Sequence, residues 1–225
     1  MSTLKLISAL MDYPRDELWQ HGDELRAAAK SISFDRATLS HFVEELLSLE
    51  PMQAQERWLL LFDRGRSMSL LVFEHIHGES RDRGQAMVDL LTTYQNAGFE
   101  LTTRELPDYL PLVLEFLSRQ PESEAQDWLR HMRFIIELLA ARALKRDSSY
   151  ACLFRYLLHW IGESGDLKVM CDRAAAEERD DTPEFMDQVW EEEVVRFGTD
   201  APSQDCAPPT KSNWKESANS NRTRI

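Results

Sequence analysis

A chain of 225 residues, 43% of them hydrophobic, is long enough to bury a sizeable core, and one domain is a simpler reading of that length than two. Its formal charge of -13 argues against a general nucleic-acid binder, since phosphate contacts need clustered Lys and Arg, and it favours basic partners instead. Cys152, Cys171 and Cys206 are odd in number and widely spaced, without a Cys-x-x-Cys pair, which points away from a zinc site or redox dithiol and toward a reducing, cytoplasmic compartment.

The stretch from Met1 to Pro14 has a short apolar run closed by Asp12, a single lysine and no small-residue cleavage site, so it reads as a first helix and not as a signal. No run approaches the roughly 20 apolar residues that a spanning helix needs. Farther on, the spacing i, i+3, i+4, i+7 recurs. It is carried by Leu39, Phe42, Val43 and Leu46, by Met87, Leu90, Leu91 and Tyr94, and by Leu110, Val113, Leu114 and Leu117. The same stripe returns at Met132, Ile135, Ile136 and Leu139, and at Leu153, Tyr156, Leu157 and Trp160. No alternating strand pattern separates these segments. Pro14, Pro51, Pro107, Pro111 and Pro121 stand at or near the starts of periodic segments, where a missing N–H costs little.

Near the end, Thr182 is placed to cap a helix opened by Pro183 and Glu184, with Met186, Val189, Trp190 and Phe197 on one side and Glu191, Glu192 and Glu193 facing solvent. Beyond Gly198, Pro, Ser, Asn and Thr dominate, and such a tail cannot offset its ordering entropy by burial. The expectation is an all-α fold: one bundle of about eight to ten helices over residues 1–197, followed by a disordered tail over 198–225.

Residues 62 to 111 interrupt this pattern with dense polar chemistry. They include Phe62-Asp-Arg-Gly-Arg66, then Phe73-Glu-His-Ile-His77 followed by Gly78, Glu79, Ser80, Arg81, Asp82, Arg83 and Gly84, then Glu105-Leu-Pro-Asp108. On a helix, His75 and His77 point about 200° apart and cannot chelate one ion as an i, i+4 pair could. No metal site is expected. The plain reading puts His77 on the apolar face of Leu70 and Phe73, His75 beside Glu79, a turn at Gly78 and a helix cap at Ser80, with Arg81 and Arg83 solvated or paired to Asp82, Glu79 and Glu74. The functional reading is a polar rim beside an apolar groove, to which the loop from Asp63 to Arg66 contributes. Ser67, Ser69, His75 and Asp82 show no sign of converging as a catalytic triad, and no phosphate loop is present, so no catalytic residues are expected. Glu105 and Asp108 read as helix-start anions that accept orphan backbone N–H bonds.

Trp58-Leu-Leu-Leu-Phe62 resembles the aromatic-x-x-Leu-Phe motif of cytoplasmic maturation chaperones for molybdenum-containing redox enzymes, and Glu105-Leu-Pro-Asp108 resembles their Glu-x-x-Asp-His loop. The run from Phe62 to Pro111, with Met11-Asp-Tyr-Pro14, Glu178-Arg-Asp-Asp-Thr182 and Val189-Trp-Glu-Glu-Glu193, resembles one branch, the respiratory nitrate reductase assembly chaperone or delta subunit family. The likeness spans roughly residues 4 to 197. It departs from the family pattern at Tyr109, where the general motif has histidine, and in the tail after Gly198.

The resemblance implies an all-helical, non-enzymatic chaperone that carries no cofactor of its own. It would bind the N-terminal segment of the apo nitrate reductase catalytic (alpha) subunit, alone or as the alpha–beta complex, in the cytoplasm. It would assist insertion of the molybdenum cofactor and delay membrane docking, with no nucleic acid as partner and no insertion into the membrane. An amphipathic peptide helix can lay its apolar face in a groove while an acidic protein attracts its basic residues. On that footing Trp58, Phe62, Leu70, Phe73, His77 and Tyr109 are expected to line or support the peptide-binding groove, with Glu74, His75, Arg81, Asp82 and Asp108 as its polar rim. The alternative is a carrier or enzyme acting on the molybdenum cofactor or its nucleotide directly, with Arg64, Arg66, Arg81 and Arg83 as anion ligands.

Overall fold

Within the described residues the apolar stripes become helix faces turned toward the core. The computed structural model describes residues 2–77, 81–101, 105–163 and 167–187. Among them the chain forms α1 (Thr3–Met11), α2 (Asp16–Gln20), α3 (Gly22–Ser31), α4 (Arg36–Ser48), α5 (Pro51–Phe62) and a 3-10 turn (Arg66–Met68). There follow α6 (Val72–His77), α7 (Asp82–Asn96), α8 (Leu110–Leu117), α9 (Glu122–His131), α10 (Arg133–Lys145), α11 (Ala151–Trp160) and α12 (Lys168–Ala176). A further helix opens at Pro183, where the Thr182 hydroxyl accepts the Phe185 N–H at 3.3 Å, as the cap reading required. These helices belong to one compact unit, Met1–Met186. The expected Val189, Trp190 and Phe197 face and the tail from 198 lie outside the described residues.

The fold is all-α, and among the described residues the twelve numbered α-helices, with the one that opens at Pro183, exceed the expected eight to ten. Two breaks explain part of the difference. His21 (φ -99°, ψ 17°) separates α2 from α3, and Met132 (φ -92°, ψ 3°) separates α9 from α10. Both residues adopt a bridge-like turn conformation, while the apolar face runs on across the break, so periodicity alone sees one helix where the backbone makes two.

The core is continuous. Leu6, Ile7, Leu10 and Met11 of α1 are fully buried against α8, α3 and α11, and the predicted stripes of α4 and α8 are buried without exception. In α7 only Leu90 and Tyr94 of the stripe reach full burial, with Met87 and Leu91 half-buried. α10 packs between α11, α12 and α9, and α4 bridges α3 and α11. Prolines start helices as expected: Pro51 opens α5, Pro111 occupies the first turn of α8 and Pro121 precedes α9. At the other ends, Gly98 (φ 77°) and Gly162 (φ 82°) take the left-handed conformation that closes α7 and α11, and in the second case the following Glu163 N–H returns to the Leu158 carbonyl at 2.9 Å. Among the described residues no helix is long and apolar enough to cross a membrane.

Candidate functional site

The polar interruption folds back on itself. Leu71 and Tyr109 form an isolated antiparallel bridge, in which the Leu110 N–H donates to the Leu70 carbonyl at 2.8 Å and the Val72 N–H to the Asp108 carbonyl at 3.0 Å. This brings the loop before α8 alongside the segment that enters α6. Asp108 lies at the centre, fully buried (0% exposed), and its Oδ2 accepts the Phe73 N–H at 2.9 Å. The expectation that Asp108 would serve orphan backbone donors is met at α6 and not at its own helix.

Burial pushes the Asp108 carboxyl above the usual carboxylate range, opposed by the Phe73 N–H and by the Arg83 charge. Its second oxygen, Oδ1, has no hydrogen-bond partner among the described residues. The loop is fixed on two further sides. The Tyr94 hydroxyl of α7 donates to the Pro107 carbonyl at 2.8 Å, and the Tyr109 hydroxyl donates to Asp12 Oδ1 at 2.9 Å just beyond α1. Arg15 extends this contact with an exposed ion pair to Glu105 at 3.6 Å.

α6 has six residues, too few to persist without tertiary support. Besides the Asp108 cap, the half-buried His75 Nε2 lies 2.8 Å from the Ser69 carbonyl. A carbonyl only accepts, so Nε2 carries the proton. Burial lowers the pKa of this imidazole below its ordinary value, leaving a neutral ring at pH 7. Glu74 pairs with Arg83 of α7 at 3.3 Å, as the sequence suggested. Phe73 and His77 stack edge to face with centroids 5.7 Å apart.

The expected site residues divide accordingly. Leu70, Phe73, Glu74, His75, His77, Asp108 and Tyr109 come together around α6 and the bridge. Three placements need correction. Asp108 is no rim residue, because it has no exposed surface. His75 turns to the Ser69 carbonyl, and Glu79, its expected neighbour, lies outside the described residues with Gly78 and Ser80. Leu70 lies in the bridge before α6, so it does not continue the helical face of Phe73 and His77.

Arg81 and Asp82 are exposed at the start of α7, Arg81 occupying the cap position without a side-chain cap bond. Phe62 is buried among Tyr150 and Phe154, with centroids at 5.1 and 6.4 Å. Half-buried Trp58 donates to the Met11 carbonyl at 2.9 Å and meets Tyr13 edge to face, so both aromatics of that motif support the core beside α1.

Outside α6, a groove of about 620 Å³ is lined by Val72, Phe73 and Ile76 on one side and by Glu124, Asp127, Trp128, His131 and Met132 on the other. The α9 wall was not anticipated, although Glu124, Trp128 and His131 follow the i, i+4, i+7 spacing. Also unanticipated was the anchor of the loop from Asp63 to Arg66. Asp180 accepts from the Ser67 N–H at 2.6 Å and from its hydroxyl, Arg146 reaches Asp180 at 3.2 Å and Asp181 at 3.3 Å, and Arg142 grips Glu177 through two bonds at 2.7 and 2.9 Å. A Cβ on Gly65 would stand 2.6 Å from the Asp180 carboxylate. In the sequence this cluster shows only as Glu178-Arg-Asp-Asp-Thr182, one of the segments that carry the family resemblance.

The arrangement builds a wall and a groove. Its buried acid caps α6, its imidazole is engaged with a backbone carbonyl, and Arg83 is paired with Glu74, so the described groups hold structure in place and do not converge on a reacting atom. Helical bundles with a supported apolar groove are a class suited to holding a peptide helix. The chain belongs to the nitrate reductase delta subunit family, whose profile matches residues 26–163. It is 47% identical over 211 residues to the nitrate reductase molybdenum cofactor assembly chaperone NarJ of Escherichia coli K12, covering 92% of this chain and 89% of that one. It is 44% identical to the probable assembly chaperone NarW of the same strain (88% and 84% covered) and 34% identical to the probable NarJ of Bacillus subtilis 168 (69% and 86% covered). Those relatives are named as assembly chaperones and not as enzymes.

Proposed function

We propose that the protein is a cytoplasmic, system-specific chaperone that binds the N-terminal segment of the apo nitrate reductase catalytic (alpha) subunit, alone or as the alpha–beta complex. It assists molybdenum cofactor insertion and delays membrane docking until maturation is complete. The observation that carries this reading is the 47% identity to a named assembly chaperone across 92% of the chain. Physical support comes from the groove beside α6, which offers apolar surface to a client helix, and from the net charge of -13, which draws basic segments toward it. Phe73 contributes directly to that groove, whereas Leu70, Asp108 and Tyr109 support its wall from beneath. A carrier role for the arginines is less well supported, because Arg83 is engaged with Glu74.

The test is a pull-down of the tagged full chain from cells grown anaerobically with nitrate, with cofactor content of the reductase measured in a deletion strain. The expected result is recovery of the cofactor-free catalytic subunit, together with an empty reductase when the chaperone is missing. Normal cofactor loading in the deletion strain would defeat the reading.

A further inference from the structure

We infer that the segment from Gly65 to Ser67, with Arg146 of α10, forms a cradle for the phosphoryl group of a small phosphate monoester, and that Asp180 and Asp181 occupy this cradle as a built-in competitor. The cradle shares no residue with the groove beside α6 and needs no client peptide.

The Asp180 carboxylate is held as a bound oxyanion is held. Its Oδ2 accepts the Ser67 N–H at 2.6 Å, while its Oδ1 accepts the Ser67 hydroxyl and, at 3.2 Å, the Arg146 guanidinium. Gly65 permits the approach, since a Cβ there would stand 2.6 Å from the carboxylate. A backbone N–H, a hydroxyl and a guanidinium converging beside a glycine are the donors that phosphate sites use.

The number of oxygens favours a phosphoryl group over a single carboxylate. Asp181 Oδ2 accepts from Arg146 Nε at 3.3 Å and from Arg179 at 2.7 Å, so three carboxylate oxygens from two anions meet the donors. A phosphoryl group brings three oxygens and a charge of roughly -2 on one atom centre. Arg179 and Arg146 hold the Asp181 carboxyl down to about 2, which shows how strongly this position favours negative charge.

The strap that carries the pair is fastened by polar contacts. From Ala175 to Asp187 no side chain is fully buried, and the strap's further ties are Glu177 on Arg142 and the Ala174 and Glu177 carbonyls on Lys145. Without an apolar anchor, an anion of equal charge can exchange for the pair. Arg146 and Asp181 also line a cavity of about 580 Å³, where Arg57, Arg64, Ser148 and Ser149 offer donors to the rest of the ligand. Glu45 and Glu56, which line it too, disfavour a second phosphoryl group.

The test uses the full chain with Asp180→Ala and Asp181→Ala together, which empties the cradle and leaves Arg146 without its carboxylates. Melting temperatures are compared in inorganic phosphate, glycerol 3-phosphate, acetate and chloride at matched pH and ionic strength. At about 10 mM, phosphate and the monoester should each raise the variant's melting temperature by about 3 °C or more over chloride. The parent, whose cradle is filled, should shift by less than about 1 °C. Should the variant be unfolded in chloride, the expected result is a melting transition that appears in phosphate. Adding Arg146→Gln should abolish the shift. The inference is overturned by a variant that phosphate does not stabilise or refold, by an equal shift in the parent, or by a shift that survives Arg146→Gln. Acetate acting as strongly as phosphate would overturn the assignment to a phosphoryl group.

Discussion

The Asp108 carboxylate caps the helix that carries Phe73, through a 2.9 Å bond to the Phe73 N–H across 35 positions of sequence. One buried acid thereby fixes a six-residue helix and the wall of the groove. Its cost is desolvation of the charge, and among the described residues no hydrogen bond to Oδ1 offsets it.

Asp108→Asn keeps an oxygen for the Phe73 N–H and removes the charge, so thermal stability at pH 7 should be equal to or above that of the parent. Because the folded-state pKa of Asp108 is raised, its contribution to stability is fully present below the ordinary carboxylate range and is lost as pH rises through the folded value. The advantage of Asn should therefore be smallest at pH 4 and grow toward pH 7. Asp108→Ala leaves the N–H unsatisfied and should cost about 1–3 kcal/mol. Urea titrations across this pH range check both outcomes.

Asp181 shows the opposite sign. Arg179 and the buried Arg146 hold its carboxyl down to about 2, so its stabilisation is present above the ordinary value near 4 and is lost as pH falls toward 2. Asp181→Asn should lose about 1–2 kcal/mol at pH 7, an effect that fades in denaturation curves recorded between pH 4 and pH 2.

Gly65→Ala tests close approach. The added methyl would meet Asp180 at 2.6 Å, and that carboxylate is already committed to Ser67 and Arg146. A loss of about 1–3 kcal/mol is expected. In an Asp180→Ala background the same substitution should cost markedly less, since the obstructing group is gone; additive losses in the double-mutant cycle would refute the contact.

Tyr109→Phe removes the bond to Asp12 while keeping the ring. A fall of about 1 kcal/mol in unfolding free energy is expected. No change in hydrogen-exchange protection of the 105–110 loop would show that the hydroxyl does not tether it.

Helix faces were readable because burial imposes a local period. Leu39, Phe42, Val43 and Leu46 announced α4, and Leu110, Val113, Leu114 and Leu117 announced α8. The break at Met132 left no such mark, since a turn residue that keeps the apolar register is invisible to periodicity. Around the groove, Phe73 could be suspected from its own neighbours, but its opposing wall on α9 comes from a segment with no local tie to it. The pairing of Ser67 with Asp180 spans 113 positions and rests on side-chain geometry, which composition does not encode. The setting of Asp108 between two prolines marks it as an acceptor of backbone bonds, but the donor it serves is set by the pairing of the Leu71 and Tyr109 segments, which no local pattern encodes.

The clasp at Asp180 and Asp181 also sets an order of events during synthesis. Arg146 is buried to within 6% of its side-chain surface, and both of its carboxylate partners lie more than thirty residues downstream. A nascent chain that has emerged only through α11 must either leave that guanidinium in water or bury it alone, at a penalty of about 3 kcal/mol or more. The bond from the Ser67 N–H to Asp180 can therefore form only once residues 177–181 have been made. A product that ends before them would lack the clasp on Ser67 and leave the Arg146 guanidinium without either carboxylate.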